Sequence, residues 1–289
     1  MFAPDLLKDR RVLITGGGTG LGKAMGRRFM ELGAELMICG RRQAVLDETA
    51  RAFEATFGRA VRTHSVDIRD AAAAETLMDA AFAKRPLDIL VNNAAANFVA
   101  RTETLSMRAV DAVLNITLHG TVYCTLAAGR RWIALGHAGT VLSIVTGAAF
   151  HGSPFGVPSA MAKAGVVAMT RSLAVEWGPK RIRLVAISPG AFPTPGARER
   201  LVPEAGVGTH GVNNPLGRPG RPEELADLAA FLVSDHAAYI QGECVTIDGG
   251  RWLKGAGTFS PRLTSGSRNG GARSCLLYPE FSSRLPRAA

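Results

Sequence analysis

The chain has 289 residues, with 34 Lys and Arg against 24 Asp and Glu, a formal net charge of +10. Hydrophobic residues make up 47% and charged residues 20%, an ordinary globular balance that excludes disorder of the whole chain. The longest nearly apolar stretch, Gly139 to Phe150, falls short of the about 18 residues that a membrane-spanning helix needs.

Strand and helix signals alternate. Arg11–Thr15 is a short apolar run that stops at glycines, and Lys23–Leu32 reads as a helix ended by Gly33. Glu35–Cys39 predicts a second strand, Gln43–Phe57 a second helix, Ala60–Val66 a third strand and Ala71–Ala83 a third helix. Leu87–Val91 is the fourth strand, followed by one long helix over Ala109–Leu135. Thr140–Val145 is the fifth strand, Ser159–Trp177 a helix and Ile182–Ile187 the sixth strand. Pro222–Ser234 is a helix with Glu223 and Glu224 in its first turn, where the positive helix end favours them. Val245–Asp248 is the last strand. Repeated β-α-β units imply a single doubly wound parallel sheet, an α/β fold with helices on both faces.

Two segments break this rhythm. Pro189 to Pro219 is rich in Pro and Gly, and a loop of that length is expected to act as a lid over a substrate. The pattern stops near Trp252, so the expected domain is 8–254 and residues 255–289 are expected to be a mobile tail rich in Arg, Ser and Gly. That tail holds five Arg and one Glu, a net of +4 outside the expected domain. A basic balance alone is weak support for nucleic-acid binding, so the expected partners are phosphate-bearing small molecules, with no nucleic acid and no membrane. Charges at Asp5, Lys8, Asp9, Arg10 and Arg11 argue against a signal-peptide core. Cys39, Cys124, Cys244 and Cys275 form no CxxC pair, which favours reduced thiols in a cytoplasm over disulfides or zinc.

Thr15-Gly-Gly-Gly-Thr-Gly-Leu-Gly22 joins the first strand to the first helix. Gly16, Gly18, Thr19, Gly20, Leu21 and Gly22 are thereby candidates to let backbone N–H groups approach a pyrophosphate at a helix N-terminus. Where a dinucleotide fold selective for NAD carries a carboxylate, at the end of the second strand, this chain has Gly40-Arg41-Arg42. A guanidinium pairs with a 2′-phosphate through two parallel hydrogen bonds, so NADP(H) is the expected cofactor. Asp67, beside Ile68, either accepts from the adenine amino group or caps the following helix.

These motifs, with Asn92-Asn-Ala-Ala95, Lys163, Ser188-Pro-Gly190 and Asp248-Gly-Gly250, stand in the order of the short-chain dehydrogenase/reductase family, which residues 8–254 resemble. The resemblance implies one Rossmann-type domain, a nicotinamide cofactor touched also by Asn93, Ala94, Pro189 and Gly190, and a homotetramer. Asn92-Asn-Ala-Ala-Ala-Asn-Phe98, Val157-Pro-Ser-Ala-Met-Ala-Lys-Ala-Gly165 and Ser172-Leu-Ala-Val-Glu-Trp-Gly178 are similar to its 2,4-dienoyl-CoA reductase branch. That branch has Ser-x-x-x-Lys in place of the common Tyr-x-x-x-Lys, here Ser159 and Lys163, which residues four apart place on one helix face. By resemblance Lys163 holds the nicotinamide ribose, Asn97 donates to the thioester oxygen, and Ser159 bonds the nicotinamide or a water. The implied activity is NADPH-dependent reduction of an unsaturated acyl-CoA. The broader family implies the alternatives of a carbonyl/alcohol oxidoreductase or a nucleotide-binding pseudoenzyme.

One departure bears on catalysis. The branch carries a tyrosine fifteen residues before the lysine, and Ala148 stands there. The common tyrosine position is Ser159, and Tyr123, Tyr239 and Tyr278 are in register with neither. His151 and ordered water are the candidate substitutes. The asparagine of the long helix aligns near His119, with Asn115 one turn earlier.

Overall fold

The computed structural model describes residues 2–194 and 213–256. Seven parallel strands form one sheet in the order β3-β2-β1-β4-β5-β6-β7. They are β1 (Arg11–Thr15), β2 (Glu35–Gly40), β3 (Arg62–Ser65), β4 (Ile89–Asn92), β5 (Gly139–Ile144), β6 (Ile182–Pro189) and β7 (Cys244–Ile247). The order turns back at β1, where β1 pairs with both β2 and β4. A crevice opens beyond the strand ends at such a switch point.

The helices are α1 (Gly20–Glu31), α2 (Gln43–Phe57), α3 (Ala71–Phe82), α4 (Met107–Leu114), α5 (Gly120–Leu135), α6 (Ala148–His151), α7 (Val157–Trp177), α8 (Pro222–Val233) and α9 (Arg251–Ala256). Strand side chains alternate between the two faces. Val12, Ile14, Leu36 and Ile38 enter the core shared with α1, α2 and α8. Leu13, Met37, Leu90 and Val141 enter the core shared with α3, α5 and the C-terminal half of α7. Both faces are covered, which is why the central strands read as continuous apolar runs.

Residues 1–251 group as one compact unit and a second unit begins at Trp252. Helix α9 continues to Ala256, beyond the point where the sequence pattern fades. The expected tail lies almost wholly outside the described residues, as do 195–212 of the expected lid. No described helix is long and apolar enough to cross a membrane.

The predicted single helix over 109–135 is two helices joined by a π-helical turn, Asn115–His119, and it begins at Met107. The Gly120 N–H reaches back five residues to the Asn115 carbonyl. One extra residue per turn breaks the 3.6 period, and such bulges concentrate at functional sites. Ser106 supplies the start that the sequence reading missed, its hydroxyl accepting from the Ala109 N–H at 3.2 Å. The four-residue helix α6 was not predicted; it is too short to show periodicity.

Candidate active site

The glycine loop folds as its composition requires. Gly16 and Gly20 have φ of +66° and +55°, a region costly for side-chain-bearing residues. A Cβ on Gly17 would lie 2.5 Å from Ile38, and one on Gly22 would lie 2.5 Å from the Gly16 carbonyl oxygen. Helix α1 starts at Gly20 with no acid in its first turn, and Thr19 at its N-cap makes no side-chain capping bond. Its orphan N–H groups and positive helix end are therefore presented to the loop.

The loop is fastened to the end of β4. The Thr15 hydroxyl accepts from the N–H groups of Asn93 and Ala94 at 3.1 and 3.0 Å. Asn93 Nδ2 donates to the carbonyls of Thr15 and Gly16 at 3.0 and 3.2 Å. The resemblance implied cofactor contact by Asn93; in the structure its side-chain amide N–H groups hold the glycine loop while the residue also lines the cleft that opens over it.

A cleft of about 1130 Å³ opens over these elements. Gly16, Gly18, Thr19, Gly20, Arg41, Arg42, Asp67, Ile68, Asn93 and Ala94 all line it. Among the other candidates, Leu21 and Gly22 pack inward instead, Gly22 against Asn93 and the Gly16 backbone. Pro189 ends β6 and Gly190 follows it; a Gly190 Cβ would lie 2.7 Å from Cα of Asp248, the residue after β7, so the backbone packing there requires a glycine. Lys23, Ile116 and Thr194 also line the cleft and had no sequence signal of their own. The lining fits a dinucleotide: glycine closeness at the loop, an open helix N-terminus, and basic side chains at the far end.

Arg41 and Arg42 are exposed, and neither guanidinium forms an ion pair among the described residues. Asp67 is occupied differently. It binds Arg69 through the side chain at 2.9 Å and accepts the Arg69 N–H at 3.1 Å, which holds its carboxyl below the usual range. The cap of α3 is Asp70, accepting from Ala72 and Ala73, so the capping alternative for Asp67 is corrected.

The reactive candidates stand outside the lining of this cleft, on α7 and on the loop that continues its Asn93–Ala95 wall. Lys163 is 6% exposed, and its Nζ donates to the Ile144 carbonyl at 2.5 Å. Burial pushes its pKa down to about 8. It is no solvated surface lysine. Ser159 is buried in the first turn of α7, and its hydroxyl has no partner among the described residues. The N-cap of α7 is Gly156, so the capping explanation of Ser159 does not hold. Asn97 Oδ1 accepts the Phe98 N–H at 2.9 Å, which turns the amide so that Nδ2 remains available to donate. The Thr117 hydroxyl fixes this loop to the π-helical turn, accepting from the Ala96 N–H at 3.1 Å and donating to its carbonyl at 3.3 Å.

Ala148, at the sequence position of the branch tyrosine, opens α6, and the half-buried Thr146 lies between it and the end of β5. Tyr123 packs beside His119 on α5, ring centroids 6.2 Å apart, and Tyr239 is fully exposed. His119 Nδ1 lies 2.9 Å from Asn115 Oδ1 across the π turn, joining the two residues that the family asparagine brought into question. His151 Nδ1 lies 2.7 Å from the Gly152 carbonyl.

A family model described as Enoyl-(Acyl carrier protein) reductase matches residues 16–251. A Bacillus subtilis protein named "Probable 2,4-dienoyl-CoA reductase [(2E)-enoyl-CoA-producing]" is 44% identical over 250 residues, covering 86% of this chain and 98% of its own. The chain belongs to the short-chain dehydrogenase/reductase family. Within that family it is similar to proteins named as 2,4-dienoyl-CoA reductases. A solved Bacillus anthracis short-chain dehydrogenase has 42% identity and a TM-score of 0.77, over 86% of this chain and 98% of the other. A chain from Beutenbergia cavernae, solved with NADP at low occupancy, has 28% identity and a TM-score of 0.81, over 87% and 100%. The family places the chain among the oxidoreductases.

Proposed function

We propose that the protein is an NADPH-dependent reductase of unsaturated acyl-CoA thioesters, of the 2,4-dienoyl or enoyl type. The observation that carries the reading is Lys163: a buried lysine tethered to the end of β5, four residues beyond Ser159, in a chain similar over 86% of its length to a protein named as a dienoyl-CoA reductase.

Gly16, Gly20 and the α1 N-terminus would hold the pyrophosphate, and Arg41 with Arg42 would meet the 2′-phosphate. Bound there, NADPH supplies a hydride. Lys163 would hold the nicotinamide ribose and keep the local potential positive. Hydride addition to a conjugated thioester drives electrons onto its oxygen, and Asn97 Nδ2 donates to that developing charge. With alanine at 148, the proton reaches carbon from water held by Asn97 and Ser159. The segment 189–219 is proposed as the lid over the acyl chain, and the assembly as a homotetramer.

The alanine at 148 also favours a second reading, a nucleotide-binding protein with little turnover. Mixing with NADPH and a dienoyl-CoA, followed by fluorescence and then absorbance of the nicotinamide, separates the two. Binding with oxidation supports the reductase. Binding without oxidation across dienoyl, enoyl and oxoacyl thioesters overturns it.

A further inference from the structure

The segment that leads into α7 contains an aromatic residue in an unfavourable place. Ser153-Pro-Phe-Gly156 is a tight turn closed by the Gly156 N–H on the Ser153 carbonyl at 3.3 Å. Phe155 has φ +61°, following proline, which is the dihedral pattern of a turn whose third position favours glycine. Glycine is the very next residue, yet Gly156 adopts φ −129° and does not use its freedom. Phe155 is 53% exposed, so burial of its ring does not compensate for the conformation. Strain of this kind persists when the side chain is needed where it stands.

Where it stands is beside the reactive loop. The Phe155 carbonyl accepts the Ala100 N–H at 3.0 Å, tying the turn to the segment that carries Asn97. Val99, between them, is 55% exposed. Neither 97–100 nor 154–157 contains a charged residue, so the two segments present an apolar strip between Asn97 on one side and the start of the Ser159 helix on the other. Exposed apolar surface joined to a reaction site fits an apolar part of the substrate.

We propose that Phe155 and Val99 form the ledge along which the aliphatic chain of the acyl thioester runs, and that Phe155 sets the preference for long chains. The proposal rests on the reading of the site as an acyl-thioester reductase. A thioester held at Asn97 sends its carbon chain away from the polar groups, and the ledge is the apolar surface that adjoins them. A short chain ends before using the whole ledge; a long one covers it.

The test is Phe155→Gly in the full-length protein, assayed with hexadienoyl-CoA and tetradecadienoyl-CoA. Glycine relaxes the turn, so the thermal midpoint is expected to hold or rise. The expected result is a loss of about tenfold or more in kcat/KM for the long substrate, little change for the short one, and an unchanged NADPH Kd. Equal losses on both substrates, or no loss on either, overturn the ledge while leaving the reductase reading intact. A change of oligomeric mass in the variant also overturns it, making Phe155 a subunit contact. If the wild-type protein reduces neither thioester, the reductase reading itself has failed.

Discussion

Thr15 and Asn93 are hydrogen-bonded through both backbone and side chain: the Thr15 hydroxyl takes the Asn93 N–H at 3.1 Å, and the Asn93 amide returns to the Thr15 carbonyl at 3.0 Å. This pair joins the ends of β1 and β4, on either side of the place where the strand order turns back. It sets the glycine loop against the loop that leads to Asn97. Thr15→Val keeps the shape of the side chain and removes the acceptor, leaving the N–H groups of Asn93 and Ala94 without it. The expected cost is about 1–3 kcal/mol, read as a lower denaturant midpoint, with a weaker NADPH Kd.

Lys163 predicts opposite pH trends for stability and activity. Its pKa falls from 10.5 to about 8 on folding, through burial. Below pH 8 both folded and unfolded states carry the proton, and the full cost of charging a buried amine is present, about 3 kcal/mol. Between 8 and 10.5 the unfolded state binds more protons, so this contribution to stability rises with pH. Lys163→Met should remove that rise, as seen by comparing the two proteins' melting curves at neutral and alkaline pH. In the wild type, kcat/KM should decline as pH increases through about 8, because the cation is lost. A pH–rate profile with no step there would count against the assigned role.

Arg41 predicts cofactor choice. Its guanidinium has no ion pair among the described residues and stands on the cleft lining. Arg41→Asp should repel a 2′-phosphate and offer an acceptor to a ribose hydroxyl. The expected shift in the NADPH to NADH preference is about 10- to 100-fold in kcat/KM, from the loss of charge-assisted hydrogen bonds. An unaltered ratio would place the 2′-phosphate elsewhere.

Ala148 predicts a gain of activity. Ala148→Tyr places a phenol at the start of α6, four residues after Ile144, whose carbonyl at the end of β5 accepts from Lys163. A donor added to a developing oxyanion is expected to raise kcat by about tenfold or more. Unchanged dienoyl-CoA turnover would make the alanine irrelevant to rate.

Most of the sheet was legible because local patterning is repeated in every β-α-β unit. Arg11–Thr15 and Gln43–Phe57 match their predicted bounds, and the apolar runs follow from burial on both faces. The π turn was not legible, because an apolar helix with one extra residue still reads as apolar over a long window. The roles of Asn93, Asp67 and Asp70 were not legible either. Each is a short polar residue at a strand end or helix start, and only its partner distinguishes a fastener, an ion-pair member and a cap.

By itself the sequence determined the parallel α/β architecture, the position of the glycine loop, and the absence of tyrosine from both expected positions. These depend on chain order and residue type. The tertiary structure decided that Lys163 is buried against Ile144, that Asn93 holds the glycine loop, and that Phe155 is strained beside Ala100. Those relationships reach across the chain, as between Asn93 and Thr15, 78 positions apart. No local pattern records them: burial and hydrogen bonding are settled only when distant segments are packed together.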